Sequence, residues 1–355
     1  MMKATPLEQI IVAMIREDGP MPLDRYMALC LGHPVHGYYM SRDPFGPEGD
    51  FITAPEISQV FGELIGIWCA AAFQALGAPG EFHLVELGPG RGTLMSDVMR
   101  ASRVMPGFRD GARIHLVETS PALRKLQAAK LGQDVTWHDS LATLPAGPSI
   151  IVANEFFDAL PIRQFESRNG QWMERRVGLG ADGRLVIGLA AQQLDRPPAA
   201  DGDILESAPL RDDVARELGA RLAAHPGAAL IIDYGHAVSA LGDTLQAVRR
   251  HKFCSILDRP GEADLTSHVD FENLGAALKA GGARPHGPLT QRQFLLSMGL
   301  EARTALLAQK AKLSERNVIG RAVERLAGEN QMGNLFKVLA ATSPGLPTPY
   351  PFGSP

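Results

Sequence analysis

An α/β fold built on a doubly wound, mostly parallel sheet is predicted by three features of the 355-residue sequence. Short apolar runs recur between helical segments, a glycine-rich turn follows the first of them directly, and an acid closes the second. Strands covered on both faces read as continuous apolar runs, and "HLVEL", "RIHLVE", "SIIVAN" and "AALIIDYG" are of that kind.

The elements follow in order. Residues 6–31 read as helical, because Leu7, Ile10, Ile11, Met14 and Ile15 recur at helical spacing and a second short amphipathic piece follows Pro22. The aromatic stretch "GHPVHGYYMSRDPFGPEGDFITAPE" is too rich in Gly and Pro for regular structure. Ile57 to Leu76 has the length and periodicity of a long, mostly buried helix that stops at "GAPG". Next come a first strand, the loop "GPGRG", a helix over "TLMSDVMRAS", a second strand "RIHLVE", and a helix from Pro121 to Leu131. "VTWH", "SIIVAN" and "AALIIDYG" are the third, fourth and fifth strands. Between the last two, an Asp-Gly pair divides "GQWMERRVGLGADGRLVIGLA" as a hairpin turn does, and a helix follows from Leu210 to Ala224. A long insertion after Gly235 runs through "EADLTSHVDF", and the strand-like "NLFKVLAA" precedes a Pro-rich tail. Neither an internal repeat nor a low-complexity segment is visible.

With 45% apolar and 21% charged residues, the composition is that of a globular protein. A formal charge of −4 supplies no general basic field, so nucleic acid is not an expected partner. No apolar run approaches the ~20 residues of a membrane span. Cys30, Cys69 and Cys254 are far apart with no CxxC pair, which fits a reducing compartment; the expected location is a bacterial cytoplasm. His33 and His36 have metal-ligand spacing but no further ligand nearby, so no metal is expected.

The glycine loop narrows the ligand. A phosphate-binding P-loop needs a lysine that Gly92-Thr93-Leu94 does not supply, and a dinucleotide site needs GxGxxG. Here the pattern is Gly88-x-Gly90-x-Gly92, with Glu86 two residues before it. Glycines let a ligand approach the backbone, and an acid at the strand end can address an ammonium group. S-adenosylmethionine fits that description. Glu118, at the end of the second strand, is placed to accept both ribose hydroxyls. Asp139, after the third, is placed to receive an adenine amino group or to stand as a solvated acid.

With these residues in view, the chain resembles the MidA-like family of S-adenosylmethionine-dependent methyltransferases, relatives of a mitochondrial complex I assembly factor that methylates an arginine. The resemblance is carried by "HPVHGYY", "GDFITAPEISQVFGELIGIW", "LVELGPGRGTLM", "VETSPALRKLQ", "ANEFFDALPIRQF", "IIDYG", "EADLTSHVDF" and "MGNLFKVL", in order from about residue 33 to 340. It implies a seven-stranded Rossmann-like methyltransferase core with an antiparallel last strand. A helical N-terminal region and lid would occupy residues 1–80, and the core 81–342 would carry insertions at about 165–227 and 238–290 ahead of the tail 343–355. It also implies a protein arginine as acceptor, with a respiratory complex I subunit as the candidate partner.

Arginine is protonated at physiological pH, so its acceptor site calls for carboxylates that hold the guanidinium and bias its electrons. Asn154, Glu155 and Asp158 follow the fourth strand, at the edge where ligands of open α/β sheets bind. The alternative is that Glu155 and Asp158 cap a helix or pair with Arg163. Phe156 and Phe157 suit core or pocket wall. In "GDFITAPEIS", Gly49, Asp50, Thr53, Glu56 and Ser58 read either as a lid over the donor, with Thr53 and Glu56 contacting it, or as helix entry at Thr53, Pro55 or Ser58. Trp172, Glu174, Arg175 and Arg176 read as a hairpin face, or as an exposed aromatic-arginine contact for a partner. A non-catalytic assembly chaperone that binds the same ligand, and a small-molecule methyltransferase, are the rival functions.

Overall fold

The computed structural model describes residues 4–41, 53–192, 194, 196–197 and 199–353. They form two compact units: one takes in residues 52–157, 212–238 and 269–355, the other residues 1–51, 158–211 and 239–268.

The larger unit contains the sheet foreseen from the apolar runs. Its strands are β1 (Phe82–Leu87), β2 (Ala112–Val117), β3 (Val135–His138), β4 (Ser149–Asn154), β5 (Gly227–His236), β6 (Arg284–Thr290) and β7 (Phe336–Thr342). They lie in the order β3-β2-β1-β4-β5-β7-β6. β7 runs antiparallel to both its neighbours, while the pairs from β3 through β5 are parallel. The expected seven strands become eight, because Val269–Asp270 pairs in parallel with the end of β5. The order reverses between β1 and β4, which makes the carboxyl ends of those two strands the crevice where such sheets hold ligands.

Every residue of β1 and β4 is buried, the reason both read as unbroken apolar runs. On one face Leu84, Ile150, Val152, Leu230, Ile232 and Val338 pack with α1 (Gln59–Ala75) and α2 (Thr93–Ala101). α1 is buried nearly all round, as its continuous apolar sequence requires. It begins two residues later than expected: Ser58 is extended and its Oγ accepts the Val60 N–H, so Ala54–Ile57 forms a separate turn. α3 (Pro121–Leu131) opens on Ser120, whose hydroxyl accepts from the Leu123 N–H, and closes at Gly132. Between β6 and β7 lie four helices that the sequence reading did not resolve, over Gln291–Ser297, Leu300–Lys310, Leu313–Ala327 and Met332–Leu335. They bring Phe294, Leu295, Leu300 and Leu326 to the same core.

In the second unit, the helices Pro6–Asp18 and Leu23–Gly32 match the N-terminal periodicity. The first is fixed by a capping box between Thr5 and Glu8. Gln171–Leu179 and Leu185–Ala191 form the expected hairpin around Asp182-Gly183. Arg163–Arg168, Ile204–Ser207 and Met21–Pro22 extend it into a five-stranded sheet. The insertion after β5 supplies a further three-stranded sheet of Gln246–Arg249, Lys252–Cys254 and Asp264–Thr266. Leu7, Ile11, Met27, Val177 and Leu265 share this unit's core. Trp172 is buried, and its indole donates to the Pro197 carbonyl at 3.1 Å, so it is not an exposed partner contact. Glu174 is buried and gripped by Arg163 and Arg176, while Arg175, on the opposite face of the strand, reaches the half-exposed Asp243, so these charges pair within the chain. His33 Nδ1 accepts the backbone N–H groups of Val35 and His36, a turn-forming role.

Candidate functional site

Gly88, Gly90 and Gly92 all adopt left-handed φ, at +61°, +51° and +75°. Side chains disfavour that region, which explains the alternating glycines. Gly88 also has no room: a Cβ there would lie 2.9 Å from the Phe156 ring. The loop that ends β1 therefore abuts the turn that ends β4.

Glu86 lies within β1 and is 3% exposed. Burial pushes its carboxyl up to about 8, against a bond from the Met95 backbone N–H at the start of α2. Its Oε2 has no hydrogen-bond partner among the described residues. Asn154 Oδ1, in the adjacent strand and on the same sheet face, is also a buried acceptor without a donor among them. Two buried oxygens without partners among the described residues, two residues apart in register on one sheet face at the crevice, suit a ligand ammonium group, so the residues present fit the amino-acid end of S-adenosylmethionine.

Glu118 is also buried, and its carboxyl is raised by that burial. Oε1 accepts the Ser120 N–H at 2.7 Å and Oε2 accepts from Gln127 Nε2 at 3.2 Å. Asp139 stands apart: its side chain is 80% exposed and bonded to Arg124 at 2.6 Å. Arg124 also donates to the Glu118 and His138 carbonyls, tying the ends of β2 and β3 together. Thr93, first residue of α2, donates to Glu56 Oε1 at 2.5 Å and receives Lys130 Nζ. Thr53 precedes the Ala54–Ile57 turn without a side-chain cap bond. Gly49 and Asp50 lie outside the described residues.

The turn after β4 is held on both sides. Glu155 adopts φ +51°, an unusual value for a side-chain-bearing residue, and its Oε1 accepts the Ala54 N–H at 3.0 Å and Asn154 Nδ2 at 3.1 Å. Asp233 of β5, nearly fully buried, accepts the backbone N–H groups of Phe156 and Phe157 at 3.2 and 3.0 Å. In the sequence, Asp233 is marked only as a lone acid inside the apolar strand "IIDYG". Phe157 is core, fully buried. Asp158 groups with the second unit, where it is 5% exposed and its carbonyl accepts the Ser267 N–H. There Tyr39, which donates to Asp264, is raised well above its ordinary value by burial and then by the Asp264 and Asp158 charges. Arg163, the alternative partner for these acids, is engaged by Glu174.

The family model for S-adenosyl-L-methionine-dependent methyltransferases matches residues 64–289. The chain is 38% identical to the mitochondrial protein arginine methyltransferase NDUFAF7 homolog of Drosophila melanogaster, over 92% of this chain and 83% of that protein. It is 34% identical to the human mitochondrial protein arginine methyltransferase NDUFAF7, over 95% and 83% respectively. A crystal structure from Burkholderia thailandensis bound to S-adenosyl-homocysteine superposes with TM-score 0.82 at 28% identity, covering 96% of this chain and 92% of that one. With a family match over more than half of its length and relatives alike over nearly all of it, the chain belongs to the MidA-like family of S-adenosyl-L-methionine-dependent methyltransferases.

Proposed function

We propose that this methyltransferase acts on an arginine of a protein, and that a respiratory complex I subunit is the acceptor to test first. The observation that carries the reading is the packing of Phe156 against Gly88, which sets the Asn154–Glu155 turn beside the glycine loop. The family relatives support it, since those at 34–38% identity are named protein arginine methyltransferases.

In this reading the glycine loop, Glu86 and Asn154 take the amino-acid end of the donor, and Glu118 takes its ribose. The bound donor supplies an electrophilic methyl group on a positively charged sulfur. The chain's own task is then placement: the acceptor nitrogen must lie in line with the breaking carbon–sulfur bond, and little proton transfer is needed beforehand. Glu155 holds the guanidinium and draws positive charge toward the nitrogens it contacts, which leaves electron density on the attacking one. As the N–C bond forms and the S–C bond breaks, the acceptor nitrogen loses one proton to solvent. Asp158 is retained as a second acceptor-side carboxylate, Asp139 as an adenine contact, and Thr53, Glu56 and Thr93 as donor contacts. The proposed compartment is a bacterial cytoplasm; Cys30, Cys69 and Cys254 form no disulfide among the described residues, and the named relatives are mitochondrial.

Intact-mass analysis of candidate respiratory subunits after incubation with labelled donor tests the acceptor. Glu155→Gln tests the carboxylate, because the amide oxygen can still accept the Ala54 N–H while the charge is gone. Turnover should fall ~100-fold, the loss of one charge-assisted contact of ~3 kcal/mol, with S-adenosylhomocysteine affinity nearly unchanged. Unchanged methylation removes Glu155 from the mechanism, and equal losses reassign it to the donor.

A further inference from the structure

The helix after Glu118 carries Gln127, the last residue of "VETSPALRKLQ", to which the sequence assigns no role. Gln127 lies in α3, is 0% exposed, and occupies a position where an amphipathic helix ordinarily buries an aliphatic side chain. All of its polar atoms are engaged. Nε2 donates to the Gly90 carbonyl at 2.7 Å and to Glu118 Oε2 at 3.2 Å, and Oε1 accepts from Trp137 Nε1 at 2.8 Å. An indole N–H can only donate, so it fixes which end of the amide is oxygen. The reversed amide would set a donor against the indole and an oxygen against both the Gly90 carbonyl and the Glu118 carboxylate. The arrangement therefore has one orientation.

We infer that Gln127 is a positioning residue for donor recognition: one buried amide, oriented by Trp137, holds the middle of the glycine loop and the ribose acid in fixed register. This rests on the proposed reading of the loop and Glu118 as the donor site. Gly90 sits at φ +51°, and its carbonyl direction is what the Gln127 bond secures. Glu118 has Ser120 on one oxygen, Gln127 on the other and the Thr119 backbone N–H as a third donor, which leaves one lone pair of the carboxylate for a hydroxyl. The Gln127 bond also favours the ionised carboxylate against the burial that disfavours it. The last glycine of the loop also lies close to the same side chain, since a Cβ on Gly92 would be 3.5 Å from Gln127 Cγ. Neutrality matters as much as shape: a carboxylate at 127 would face the carbonyl and the Glu118 charge together.

The test is calorimetry with S-adenosylhomocysteine and its 2′-deoxy analogue on the wild type, Glu118→Gln, Gln127→Leu, Gln127→Glu and Trp137→Phe, with thermal denaturation of each. Gln127→Leu should weaken S-adenosylhomocysteine binding ~10- to 100-fold, the cost of leaving a buried carboxylate and carbonyl underbonded. It should also erase most of the wild type's preference for the 2′-hydroxyl. Gln127→Glu should bind more weakly still, and Trp137→Phe should show a smaller loss with the same reduced preference. A lost affinity with the hydroxyl preference intact would make Gln127 merely structural and overturn the inference, as would wild-type binding by Gln127→Leu. Should Gln127→Leu not fold, Trp137→Phe reads the same link, and an unaltered hydroxyl preference there overturns it. Glu118→Gln separates the premises: if it binds both ligands as the wild type does, the donor-site reading fails independently of Gln127.

Discussion

Without a ligand, burial keeps the Glu86 carboxyl protonated to a higher pH inside the fold than outside it, and a bound ammonium group would oppose that preference. Its ordinary value is 4.5, and burial raises it to about 8 in the native state. A raised carboxyl favours folding fully below pH 4.5, and that contribution is lost as pH climbs from 4.5 to 8, then stays constant. The span corresponds to on the order of 3–5 kcal/mol. Glu86→Gln keeps the size and an oxygen for the Met95 N–H while removing the ionisation. Wild-type stability should therefore decline relative to Glu86→Gln between pH 5 and pH 8 in denaturant titrations. Parallel curves for the two proteins would mean that Glu86 does not hold this proton. Its place at a strand end before the glycines was legible from the sequence, but its lack of a partner was not, because that depends on how α2 and the neighbouring Asn154 close around it. Glu118 and Asp139 make the same contrast. Both are acids after strands, yet one is buried under α3 and the other is exposed and bonded to Arg124.

At the scale of elements, the contact between α1 and α2 supports the loop from behind. Gly62 and Gly66 are one turn apart on α1, and Cβ atoms there would fall 2.4 Å from Asp97 Cβ and 2.8 Å from Ala101 Cβ. The helices touch at the backbone, and the contact is flanked by Glu63, which takes Arg303 at 2.7 Å and Arg100 at 3.4 Å. Gly62→Ala raises helix propensity by about 1 kcal/mol, yet the clash is with the base of a side chain that has nowhere to turn. Overpacking of this kind costs ~1–3 kcal/mol, so the sign of the net change is destabilising or near zero rather than the gain expected of an open helix site. Because α2 carries the end of the glycine loop, donor affinity should fall along with the melting temperature; a more stable Gly62→Ala with unchanged S-adenosylhomocysteine binding would show that α2 does not transmit the shift. Hydrogen bonds across strands were equally hidden from the sequence. His83, His115 and His138 come from three neighbouring strands and form a bonded chain at 3.0 and 2.9 Å, with burial lowering His115 to about 4. Nothing in their spacing of 32 and 23 residues marks them as neighbours.

For the whole molecule, the glycine spacing and Glu118 predict a nucleoside ligand without a pyrophosphate. S-adenosylhomocysteine at ~100 times its dissociation constant should stabilise the native state by ~2.7 kcal/mol, seen as a rise of several degrees in melting temperature, whereas NAD should give none. Stabilisation by NAD alone would reverse the ligand assignment. What the sequence by itself determined was the local grammar. Continuous apolar runs specify strands buried on both faces, alternating glycines specify a left-handed loop, and acids at strand ends specify where a ligand can be held, because each depends on residues close along the chain. Tertiary structure alone decided which of those acids have partners. It made Val269–Asp270 an eighth strand beside β5, set Asp233 under the Phe156–Phe157 turn, grouped Asp158 with the second unit, and placed Gln127 between Gly90 and Glu118. Those outcomes depend on burial and on donors brought from other elements, and neither quantity is carried by any short stretch of chain.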